Sequence, residues 1–121
     1  MKSFFALLVL TIYLSASSDV CKTEWVLSNG VKTKPSSSFK TFTLIDSRDL
    51  NSVTMKTQSG STQYVYDGFI DPHDGRLGIS YKSPTGILMD RFEDGTLYFW
   101  EGNTQIVRAK CPRIEIGKVQ R

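Results

Sequence analysis

Asp71-Pro72-His73-Asp74-Gly75 places the only histidine of the chain between two carboxylates. Three kinds of chemistry use such a cluster. An imidazole with neighbouring carboxylates can begin a metal site, but zinc takes four ligands and nothing nearby completes the set. The same groups can act as general acid and base, with Glu93 and Arg91 as the other polar members of a small hydrolase or ribonuclease site. No nucleophile, oxyanion donor, Gly-x-Ser-x-Gly elbow or phosphate-cradling glycine loop accompanies them. The third reading is conformational. Proline presets the second position of a type I turn, aspartate suits the first, and Asp74-Gly75 supplies the positive-φ end of a hairpin loop. Each residue but His73 has a reason to build a bend, so the pentad reads as a turn. No catalytic residue, metal or cofactor is assigned, and a hydrolase using His73 stays as an alternative.

The elements around that turn are short strands. Turn signals at Asp71–Gly75, Ser83-Pro-Thr-Gly86, Glu93-Asp-Gly95 and Glu101-Gly-Asn103 start at intervals of 12, 10 and 8 residues, the spacing of consecutive antiparallel strands. Between them lie Tyr64–Ile70, Arg76–Lys82, Ile87–Phe92, Thr96–Trp100 and Thr104–Cys111, all rich in β-branched and aromatic residues. Alternation sets Leu77, Ile79 and Tyr81 on one face, and Val107, Ala109 and Cys111 opposite Arg108 and Lys110. The first half adds Thr23–Leu27, Phe39–Ile45 and Ser52–Gln58. These are separated by Ser28-Asn29-Gly30, a polar loop over Lys32–Ser38, and Asp46–Asp49. Seven or eight such strands predict one all-β domain, a small antiparallel β-sandwich or β-barrel.

Its ends carry topological information. Lys2, the apolar run Phe4–Leu14 and the small residues Ser15–Ser18 make a secretory signal peptide over 1–17, leaving 18–121 as a single secreted domain. The apolar run is short of the roughly 20 residues that span a bilayer, so no membrane span is expected after its removal. Cys21 and Cys111, about 90 residues apart, are then expected to form one disulfide between the first and last strands. Net charge is only +3, too mild to imply nucleic acid. It is unevenly spread: Asp67–Glu101 holds seven acids against three bases, and Arg108–Arg121 five bases against Glu115. None of Asn29, Asn51 and Asn103 begins an N-glycosylation triplet.

One strand is apolar on both faces. In Thr96–Trp100, Leu97 and Phe99 face one way, Tyr98 and Trp100 the other. The expected binding surface is therefore Tyr98 and Trp100, extended by Tyr64 and Tyr66, which share a face of an earlier strand. Trp25, beside the disulfide, is expected in the core. Such aromatics suit an extracellular protein or a carbohydrate partner. The terminal cysteines, Ser59-Gly60-x-x-x-Tyr64 and Phe99-Trp100-x-Gly102 also resemble bacterial periplasmic inhibitors of C-type lysozyme, over about ten residues. That resemblance implies a small β-barrel and, as a second function, inhibition of a secreted hydrolase through a loop serine. The first expectation is a secreted, non-enzymatic binding protein, of the effector, toxin-like or defence kind.

Overall fold

Glycine and proline cut the chain into strands that alternation then folds about one interior. The computed structural model describes residues 18–47, 51–73 and 76–114. The strands are β1 (Ser18–Ser28), β2 (Val31–Thr33), β3 (Thr41–Asp46), β4 (Ser52–Thr57), β5 (Gly60–His73), β6 (Arg76–Lys82), β7 (Leu88–Phe92), β8 (Thr96–Glu101) and β9 (Thr104–Lys110). Neighbours pair antiparallel in the order β2-β1-β3-β4-β5-β6-β7-β8-β9, and β1 also pairs with β9. That last pairing closes eight strands into a barrel with β2 as an extra strand. Of the two expected architectures, the barrel holds. Among the described residues no helix is long and apolar enough to cross a membrane.

Local chemistry explains the connections. Asn29 and Gly30 both have positive φ, 51° and 77°, as a two-residue hairpin turn joining β1 to β2 requires. Ser83–Gly86 closes with the Gly86 amide donating to the Ser83 carbonyl at 3.0 Å. Gly95 does more. Its φ is +96°, and a Cβ there would run into the carbonyl oxygen of Cys111. Its own carbonyl accepts the Cys111 amide at 2.7 Å. The β7–β8 turn thus holds the last cysteine.

Three elements depart from their expected bounds. β1 begins at Ser18, well before Thr23, because Asp19, Cys21 and Thr23 alternate inward while Val20 is 65 % exposed. A strand with polar groups inside does not show the usual pattern. β5 runs on to His73, with bulges between Tyr66 and Gly68 and between Ile70 and His73. The expected polar loop over Lys32–Ser38 instead holds the end of β2 and a single 3-10 turn at Ser37–Phe39, which stacks Phe39 on Phe42 at 5.3 Å. The β5–β6 ladder ends at His73 opposite Arg76. The turn reading of the histidine pentad falls on Asp74 and Gly75, outside the described residues, as do the proposed signal peptide at 1–17 and the basic stretch beyond Ile114.

Side chains fill the interior, as an eight-stranded barrel allows. Phe99 contacts Phe42 and Tyr64 edge to face at 6.1 and 5.9 Å. Around them pack Leu44, Val53, Ile79, Tyr81, Met89, Leu97 and Ala109. Cys21 and Cys111 form the expected disulfide, both sulfurs within this core, next to Lys22–Lys110, the first pair of the closing β1–β9 ladder. A set of charges turns inward too. Arg91 is 1 % exposed and donates to Asp46 at 2.5 Å and to Asp19 at 2.9 Å.

Candidate functional site on the outer wall

The face of the barrel wall opposite the core carries a run of aromatic rings. β8 supplies two of them by parity: Leu97 and Phe99 point inward, Tyr98 and Trp100 outward and half-buried. Tyr98 meets Trp100 at 6.4 Å and Phe92 of β7 at 6.0 Å, both edge to face. Phe92 is opposite Gly78 of β6, which leaves room for its ring. A Cβ on Gly78 would sit 2.9 Å from the Phe92 ring.

Cations lie over two rings. Arg108 of β9 is opposite Tyr98 in the ladder and stands 5.7 Å from its ring centre, while its Nε donates to Glu24 at 2.9 Å. On the far side of β9, Arg108 is opposite Trp25 of β1, and Lys32 of β2 reaches over the Trp25 ring at 4.5 Å. Across four strands the order is therefore Lys32, Trp25, Arg108, Tyr98. This corrects the core assignment of Trp25. A bulge between Thr23 and Trp25 inserts Glu24 and shifts the parity of β1, so the indole turns outward.

Beneath the aromatic run sits Asp90, opposite both Ser80 and Tyr98. Burial pushes its carboxyl above the ordinary value, hydrogen bonds from Ser80 and Trp100 pull it back, and the charge on Asp67 raises it again. The Trp100 Nε1 is buried without a partner that meets full hydrogen-bond geometry, so its hold on Asp90 is loose.

The four residues expected to form one patch are not together. Tyr98 and Trp100 are outward, as expected. Tyr64 is 4 % exposed inside the barrel, where burial pushes its phenol up to about 12. Its place on a surface patch is thereby corrected: the inward parity of Tyr64 is fixed by its contact with Phe99. Tyr66, 38 % exposed, sits at the β5 bulge against Phe69 at 5.5 Å. There it lines a shallow depression of about 330 Å³ with Val65, Lys82 and Pro84. The outward row Val65, Lys82, Leu88, Trp100 crosses three strand steps, about 14 Å, so the depression borders the aromatic run without joining it.

Comparison of the chain with protein-family models, curated proteins and solved structures finds no match. Among the described residues no three of His, Cys, Asp and Glu gather as metal ligands. The fold and its outer wall together define the class: a closed antiparallel barrel with a disulfide at its seam and an aromatic, cation-capped exterior.

Proposed function

We propose that this chain is a secreted, non-enzymatic binding protein whose contact surface is the outer wall formed by Phe92, Tyr98, Trp100 and Trp25. The observation that carries the reading is the outward, half-buried placement of Tyr98, Trp100 and Trp25, with the buried Phe92 ring against Tyr98, beside an interior already filled by other side chains. Aromatic rings on a rigid sheet offer contact area at low entropic cost, and such residues dominate binding energies. Tyr66 stands opposite the buried Tyr81 on the inward-facing side of β5, and so lies outside this wall. The partner is an extracellular protein or a carbohydrate.

The test is Trp100→Ala, measured by denaturant melts and by binding to arrays of glycans and of extracellular proteins. The expected result is a loss of about 2 kcal/mol or more in binding to whatever the wild type retains, with a smaller change in stability. Unchanged binding overturns the reading. The second reading, inhibition of a hydrolase such as lysozyme, is favoured by the exposed Ser59-Gly60-Ser61 tip of the β4–β5 hairpin. It requires lysozyme inhibition that Ser59→Ala or Ser61→Ala weakens.

A further inference from the structure

Strand β1 places Lys22 directly opposite Lys110 of β9, and both side chains are exposed. Like charges opposite one another in a ladder are destabilising, so this pair is held at a cost to the seam. Two residues along the same strands lies Arg108, and Lys32 stands over Trp25 on the neighbouring hairpin. Arg108 and Lys110 are about 7 Å apart along β9, and one strand step of about 4.8 Å separates Lys110 from Lys22. Among the described residues of β1, β2 and β9, the acids are Glu24, which pairs with Arg108 at the surface, and Asp19, which turns inward to Arg91. The seam wall therefore carries a concentrated positive charge in a chain whose overall balance is mild.

We infer that this wall binds a linear acidic polysaccharide, with Lys22, Lys32, Arg108 and Lys110 receiving its sulfate or carboxylate groups. The inference rests on the reading of the outer wall as a contact surface and names its ligand. One observation favours a glycan over a nucleic acid. The Trp25 and Tyr98 rings already carry cations over their faces, so neither offers a bare platform on which a base would stack. What they do instead is hold the cations in place, and the guanidinium and ammonium N–H groups remain for anions. The Arg108–Glu24 bond is an exposed pair, weak enough for a ligand sulfate to replace Glu24 as the partner.

The experiment uses heparin as probe and the disulfide-bonded protein, by calorimetry over a salt series. Wild type should bind, with affinity falling as salt rises, and Lys22→Gln/Lys110→Gln should weaken binding by about tenfold or more. Lys56→Gln/Lys82→Gln removes the same net charge from exposed sites elsewhere and should change little. Melting temperatures should not fall in the first variant, since it relieves a like-charge pair. Equal losses in both variants would reduce the effect to net charge and overturn the inference, as would equal competition by single-stranded RNA. Absence of heparin binding together with another ligand lost in Trp100→Ala sinks the polysaccharide and leaves the aromatic wall standing. Heparin binding that depends on the lysines and ignores Trp100→Ala keeps the polysaccharide and removes the aromatic reading.

Discussion

Replacing Arg91 by methionine should be among the most damaging single changes in the barrel. The guanidinium is enclosed, and its two partners differ in exposure: Asp46 has a side chain 7 % exposed, Asp19 one that is 24 % exposed. Methionine fills much of the volume but leaves the Asp46 carboxylate inside the barrel without its counter-charge. Removing one partner of a buried ion pair costs about 3–5 kcal/mol. In a domain of this size that lowers Tm by roughly 15–30 °C. Asp19 can turn to water and adds little. The native arrangement is not perfect either, because Arg91 Nε is buried without a hydrogen-bond partner. Changing the set together, as Asp19→Asn/Asp46→Leu/Arg91→Met, should therefore restore stability to within about 1 kcal/mol of wild type. Urea melts followed by tryptophan fluorescence, at one pH, give each value. A loss below about 1 kcal/mol for Arg91→Met, or a triple variant no better than the single, would refute the argument that the loss of the counter-charge carries the cost.

Cys21→Ala/Cys111→Ala opens a loop whose ends are 90 residues apart, for which chain entropy predicts about 4.6 kcal/mol as an upper value; a melt shift equivalent to less than about 1 kcal/mol would show that the β1–β9 ladder closes the barrel unaided. Gly95→Ala combines a positive φ with a collision at the Cys111 carbonyl, and should cost more than about 2 kcal/mol in the same melts, whereas Gly102→Ala, at positive φ with open space around it, should cost less. Tyr64 and Tyr81 are both raised from 10.0 to about 12, chiefly by burial. The fold thus favours the neutral phenols; their contribution is complete below pH 10 and is lost as pH climbs towards 12, so their phenolate absorbance should appear together with alkaline unfolding and not before it.

What the chain's own pattern discloses about this fold depends on how local the determining contact is. The ends of β6 are legible because Gly75 and Ser83-Pro84 punctuate a run whose alternation is regular, and Arg76–Lys82 is the strand found. The opposite facings of Phe99 and Trp100 follow from parity within one strand and need no partner. Relating one strand's faces to another's is harder. Tyr64 and Tyr66 do share a parity, but that their face is the inner one is decided by the register of β5, which sets Tyr64 opposite Val53 and Tyr66 opposite Tyr81. Trp25 fails through a bulge four strands earlier, in β1, where Glu24 is the inserted residue. Closure has no local signature, and the cysteines hint at it only by lying at the two ends. Least visible is the inward set of Asp19, Asp46 and Arg91, three charged residues that composition alone assigns to solvent. They become interior only when β1, β3 and β7 meet across the barrel, each charge made tolerable by the others. The wall on which function is proposed inherits its geometry from those same non-local events. The bulge that expels Trp25 also sets it opposite Arg108, and the seam that closes the barrel brings Lys22 against Lys110. A surface assembled by closure cannot be read before closure is known.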